Sequence, residues 1–193
     1  MNILFAGTPH SAAQILLYLA NIRPFNIKGV LTQPDKKGKR GNNLIESPVA
    51  NAAKLHNFDI FKPDNLNSSN TIKTLESLDI DFLVVIAYGK IIPPWLLELP
   101  KVSPINVHFS ILPKYRGASP IQSALLNGDE SSGISIIKMS DDLDAGEIVS
   151  SFNVRIDPED NKLTLEKKLT NKSIIELPRT LDLMKSSKIV AKE

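Results

Sequence analysis

The sequence predicts an α/β fold in which helices follow buried strands. Three observations predict it. Short apolar runs such as Ile3–Ala6 and Asp81–Ala87 are continuous rather than alternating, the pattern of strands covered on both faces. Turn residues such as Gly7-Thr8-Pro9 close them, and helical patterns follow. Ile105–His108 is a further apolar run that ends in polar residues, as a buried strand does at its carboxyl end, where open α/β sheets place their ligands.

At 193 residues the chain is long enough for one domain with a real core. Hydrophobic residues at 42% and charged residues at 23% are ordinary globular values. A net charge of +2 is too small to argue by itself for a nucleic-acid partner. With no cysteine, disulfides and thiolate metal sites are excluded. The start MNILFAG enters a strand without a charged leader, and no apolar run has the length of a membrane span. A soluble, cytoplasmic protein is expected.

Taken in order, strand Ile3–Ala6 precedes a helix that starts near Pro9 and runs to about Ala20, with Ile15, Leu16 and Leu19 on one face. Gly29–Thr32 lies in the next strand, which gives a βαβ start. Gly7-Thr8-Pro9 is not the glycine fingerprint of dinucleotide sites. A helix amino end there faces a ligand or only closes a tight turn, and both readings stand. Residues 33–43 (QPDKKGKRGNN) are the most loop-like segment. They read either as a solvated loop or as a phosphate-binding loop that orders on its substrate.

Ser47-Pro48 starts a helix to about His56, as an N-cap followed by proline. Asp59–Phe61 is a short strand, Ser69–Leu78 a helix, and Asp81–Ala87 a central strand. Ile91 and Ile92 either line a pocket for a flat ring or begin the packing of helix Pro94–Leu97, in which Trp95 is half-buried. Ser119-Pro120 starts a helix that Gly128 ends. Gly133–Met139 alternates as a strand, and Glu147–Ile156 is a further strand or hairpin. The last helix, from residue 161 to about 185, is expected to break near Pro178.

Asn106 and His108 are two residues apart and so share one strand face. Asp144 lies in the loop Met139–Gly146, after another strand. Taken singly, each is commonest as a cap, a satisfied histidine or a turn former. Brought together they would offer an amide donor that does not titrate, a ring that carries protons near neutral pH, and a carboxylate to orient it. Asp141, Asp142, His10 and His56 are read as non-functional. No set of histidines and acids has metal-ligand spacing, so no metal is expected.

The segments AGTP, LTQPDKKGKRGNNL, SPV, VVIAYGKIIP, INVHFSILPKYRGASPIQSALLNGD, SGISIIKM and LDAGEI, in that order, resemble the folate-dependent formyltransferases, and among them the methionyl-tRNA formyltransferases. The similarity runs from Met1 to about Arg179. It implies a doubly wound, Rossmann-like, mostly parallel sheet of about seven strands with helices on both faces. It implies a catalytic domain over 1–185 and the start of a linker at 186–193, with the family's C-terminal β-barrel domain absent.

By the same resemblance the donor is N10-formyltetrahydrofolate, a co-substrate, and the acceptor is the amino group of initiator methionyl-tRNA, formylated for translation initiation. Asn106, His108 and Asp144 would be catalytic. Ser110, Ile111, Leu112, Pro113 and Ile91 would face the folate donor. Lys37, Lys39 and Arg40 would contact tRNA, with Arg40 nearest the acceptor end. The protein is expected to be a monomer with no metal and no membrane partner. A sugar-nucleotide N-formyltransferase and a folate- or RNA-binding fragment of impaired activity are the alternatives. Phe109 stands where the family has a very small residue or proline, and so narrows the cleft or stacks on the ligand. His10-Ser11 replaces an acidic-aromatic pair.

Overall fold

The computed structural model of the chain describes residues 1–38 and 43–186. Contacts divide the chain into two compact units, Met1–Ser103 and Pro104–Glu193. The α/β class stands, and the main-sheet strands number seven, four in the first unit and three in the second.

The first unit holds β1 (Asn2–Gly7), α1 (His10–Ala20), β2 (Asn26–Leu31), β3 (Lys36–Lys37), β4 (Leu44–Ile45), α2 (Pro48–Leu55), β5 (Ile60–Phe61), α3 (Ser69–Glu76), β6 (Phe82–Ile86) and α4 (Pro94–Glu98). Four strands run parallel in the order β5-β2-β1-β6. β1 and β6 are buried along nearly their whole length, which is why they read as unbroken apolar runs. From β1 the chain first builds outward through β2 and β5, then returns to the other side of β1 as β6. That reversal opens a crevice at the carboxyl ends of β1 and β6. Thr8 and Tyr88 meet there, Thr8 Oγ1 donating to Tyr88 O at 2.8 Å.

The helix starts follow the sequence. Pro9 is the N-cap of α1, and Ile15, Leu16 and Leu19 are buried on one face. Ser47 caps α2 by accepting from Ala50 N at 2.9 Å, with Pro48 in the first turn. Trp95 is half-buried, as expected, and its ring nitrogen donates to Asn67 Oδ1.

The 33–43 segment departs from expectation. Lys36 pairs with Ile45 and Lys37 with Leu44, antiparallel, so two of the segment's residues join a short ribbon, while 39–42 lie outside the described residues. Gly38 N donates to Asn43 O beyond the last pair. Two-residue strands are invisible to hydrophobic periodicity, because only their pairing defines them.

The second unit holds β7 (Ser103–His108), whose first residue ends the other unit, then α5 (Pro120–Leu126), β8 (Ser131–Lys138), β9 (Ile148–Arg155) and α6 (Lys162–Lys185). β7, β8 and β9 lie side by side and antiparallel. Asn161 starts α6 with a capping box. The expected break at Pro178 is absent, and α6 continues through it. The reason is burial. Leu177 and Leu181 flank the proline and are fully buried, worth roughly 1.5–3 kcal/mol each against about 3 kcal/mol for an interior proline.

Gly133 of β8 positions the Ser110–Pro113 segment. A Cβ there would collide with the Ile111 side chain and with the carbonyl of Phe152. Only a residue without a side chain lets Ile111 lie on the strand. Gly133→Ala is therefore expected to destabilise the protein by about 1–3 kcal/mol, the range for overpacking, read as a lowered urea midpoint.

Candidate active site

β7 delivers Asn106 and His108 on one face, and β8 lies beside them, Asn106 opposite Ile137 and His108 opposite Ser135. After β8 the chain turns back through 139–146. Gly146 passes so close to Lys138 O that a Cβ would strike it. Asp144 adopts a left-handed φ of 49°, a region in which aspartate is several-fold enriched among non-glycine residues.

The three side chains meet. Asn106 Nδ2 donates to Asp144 Oδ1 at 3.1 Å. Gly117 N donates to Asp144 Oδ2 at 2.8 Å. His108 Nδ1 stands 3.5 Å from the same oxygen, and the side chains of His108 and Asp144 are only 7% and 8% exposed. His108 Nε2 lies 2.8 Å from Tyr115 O. A carbonyl only accepts, so Nε2 carries the hydrogen of that bond. In the neutral ring Nδ1 is then a lone pair facing a carboxylate. A proton arriving at Nδ1 turns that contact into an ion pair. One N–H of the Asn106 amide is spent on Asp144, and its second remains for another acceptor.

Ser110 is buried, its hydroxyl donating to Lys114 O at 2.5 Å. Leu112 is buried, and its N–H donates to Ser135 Oγ. The Leu112–Pro113 peptide is cis. Ile111 and Phe109 are half-buried and Pro113 is exposed. In the first unit, Ile91 is 89% exposed. It borders a depression of about 250 Å³ with Leu66, Lys90 and Pro93. Tyr88 of the same unit is buried, and its hydroxyl has no hydrogen-bond partner among the described residues. Burial pushes its pKa up to about 12.

Lys37 is exposed on β3, whereas Lys39 and Arg40 lie outside the described residues. The ribbon is tied at its base. Lys62 Nζ bridges Asp35 at 2.6 Å and Glu46 at 2.8 Å, and Lys54 adds a second contact to Glu46 at 2.6 Å. Asp35 precedes β3 and Glu46 follows β4, so one ammonium holds both rails. Burial alone lowers the Lys62 pKa, but the hydrogen bonds that its ammonium donates to Asp35 and Glu46 overcome that and raise it. Hydrogen bonds from Lys54 and Lys62 hold the Glu46 carboxyl down at about 2.

Two partners in the site were missed by reading side chains: the carbonyl of Tyr115 and the N–H of Gly117. Gly117 marks a turn in the sequence, but no letter announces the positive φ of 58° at Tyr115. Among the described residues no group of three or more histidines and acids could hold a metal ion. No described helix is long and apolar enough to cross a membrane.

An α/β fold that brings an amide, an imidazole and a carboxylate together at a strand end defines a class of site whose groups suit acyl transfer. A family model described as formyl transferase matches residues 1–181, and the chain belongs to that family. Over 193 residues it is 41% identical to the methionyl-tRNA formyltransferase of Thermotoga maritima, covering 100% of this chain and 61% of that protein. Over 171 residues it is 42% identical to that of Kosmotoga olearia, covering 89% and 55%. The chain thus spans 55–61% of the length of these two relatives.

Among solved structures, phosphoribosylglycinamide formyltransferase from Bacillus halodurans superposes with a TM-score of 0.77 at 23% identity, over 96% of this chain and 97% of that one. WlaRD, a sugar 3N-formyl transferase determined in the presence of dTDP and 5-N-formyl-THF, gives 0.72 at 19% identity, over 100% and 66%. These likenesses are of fold alone.

The ribbon clamp has a pH signature. The Glu46 pKa is depressed from 4.5 to about 2. Its contribution is therefore present above pH 4.5 and lost as the pH falls towards 2. Amide exchange at Gly38, corrected for intrinsic rates, should show steady protection down to about pH 4.5 and a decline below it. Lys62→Met should lower that protection already at neutral pH.

Proposed function

We propose that the protein transfers the formyl group of N10-formyltetrahydrofolate to the amino group of methionyl-tRNA. The observation that carries the proposal is the grouping of Asn106, His108 and Asp144 within hydrogen-bonding reach. The choice of acceptor is supported by 41% and 42% identity to relatives named for it. The catalytic share is assigned to residues 1–185.

The acceptor nitrogen attacks the formyl carbon, the carbonyl oxygen becomes an oxyanion, and the bond from carbon to the folate nitrogen then breaks. The free N–H of Asn106 donates to the oxyanion as its charge develops. His108 takes the proton that the acceptor nitrogen loses, and returns one to the departing nitrogen. Asp144 holds Asn106 in place through Oδ1 and stabilises a proton on Nδ1 through Oδ2. No nucleophilic serine or cysteine takes part.

Donor contacts are assigned to Ile91 in the first unit and to Ser110–Pro113 in the second. Ile91 is an apolar side chain left almost wholly in solvent, which suits a flat ring better than water. Since Ser110 and Leu112 are engaged internally, they shape this segment and leave Ile111 and Pro113 to meet the donor. Lys37, exposed on β3, and Lys39 and Arg40, outside the described residues, are assigned to tRNA phosphates, contacts that give register without reading sequence.

Asn106→Ala should cost about 2.7–4 kcal/mol of transition-state stabilisation, typical of one oxyanion donor. Single-turnover rates test this, and less than a tenfold loss removes Asn106 from the role. A labelled formyl donor offered with methionyl-tRNA and with a nucleotide-linked amino sugar tests the acceptor. Label on methionyl-tRNA is expected. Label on the sugar overturns the acceptor, and label on neither overturns the transferase reading.

A further inference from the structure

We infer that Tyr115 is a positioning residue for His108: its backbone carbonyl fixes which ring nitrogen carries the hydrogen, and the carboxyl end of α5 holds Tyr115 in the conformation that does so. The inference rests on the reading of His108 as the proton carrier given under Proposed function.

Tyr115 has a φ of 58°. A bulky aromatic residue adopts that region only where its surroundings force it. Both ends of the residue are held. Its carbonyl accepts from His108 Nε2 at 2.8 Å. Its hydroxyl donates to Asp129 Oδ2 at 2.8 Å and accepts from Asn127 Nδ2 at 2.9 Å. Asn127 is the C-cap of α5, and Asp129 follows Gly128, whose φ of 66° ends the helix. Lys114 Nζ adds a contact of 3.7 Å to Asp129.

The preceding carbonyl, Lys114 O, is already taken by the Ser110 hydroxyl. Relaxing φ at Tyr115 to the common region rotates its ring and carbonyl together, away from His108. The ring anchor therefore keeps the carbonyl on Nε2. With Nε2 protonated, Nδ1 is the free base beside Asp144. Were the anchor lost, Nδ1–H donating to Asp144 would become the favoured tautomer. That form has no base on the Asp144 side.

The test uses this chain with 15N-labelled histidine. Of its three histidines, His108 is assigned by the signal lost in His108→Gln. At a pH where the ring is neutral, the long-range 1H–15N spectrum should show His108 as the Nε2–H form. Tyr115→Phe, which keeps the ring, and Asp129→Ala should each give a measurable Nδ1–H population. Asp129→Asn, which keeps an acceptor for the hydroxyl, should restore the original form. In formyl transfer, Tyr115→Phe should lower kcat about tenfold, part of the 10²–10⁴-fold that positioned proton transfer supplies, with KM for the donor unchanged. The double variant should be no worse than either single one.

A His108 tautomer identical in wild type, Tyr115→Phe and Asp129→Ala overturns the inference, as does a wild-type Nδ1–H form. If the wild-type chain formylates neither acceptor while the tautomer shifts as described, the functional reading fails and the positioning role stands.

Discussion

Asp144 gathers the second unit's chemistry. One of its oxygens receives the Asn106 amide, and the other receives the Gly117 backbone and faces His108. A carboxylate this buried stands only where hydrogen bonds satisfy it. Those bonds tie β7, the loop after it and the loop after β8 to one another. Each remaining feature serves this arrangement: the i, i+2 spacing on β7, the tight return through Gly146, the positive φ at Asp144. The imidazole is held through Nε2 by Tyr115 O, and its Nδ1 stands 3.5 Å from Asp144.

The first unit solves a different problem. Its parallel core is apolar and continuous, and it leaves a crevice at the β1 and β6 ends. Around that core Lys54 and Lys62 pair with Glu46 and Asp35, and Lys101 pairs with Asp79. The ribbon that carries Lys36 and Lys37 has two strands joined by two residue pairs, too few to persist alone in water. It relies instead on Lys62, which joins the residues just outside both strands. Exposed ion pairs are individually weak, but here the same ammonium serves two carboxylates that would otherwise leave the ribbon ends free.

The sequence made the buried strands legible because β1 and β6 are covered on both faces and so lack any polar alternation. It made the starts of α1, α2 and α5 legible because Pro9, Ser47-Pro48 and Ser119-Pro120 mark them by chemistry rather than by context. Asn106 and His108 were legible as a pair from their spacing. Asp144 was not legible by physics alone, since nothing local says which strand end its loop meets; the resemblance supplied it. The ribbon, the unbroken α6 and the turn at Tyr115 all depend on partners distant in the chain. Lys62 is far from Asp35, and the stripe formed by Leu177 and Leu181 outweighs Pro178 only once it has a sheet to cover.

Two of the contacts that order the site are made by the main chain, at Tyr115 O and Gly117 N. No substitution deletes a carbonyl, and only proline deletes an N–H. What inheritance must preserve between residues 115 and 117 is therefore the path of the loop and not the letters in it. The side chains there are free to diverge among descendants as far as they still hold that path, so a lineage has room to change the exposed Lys114 and Arg116 while the contacts of Asp144 and His108 with the main chain stay intact.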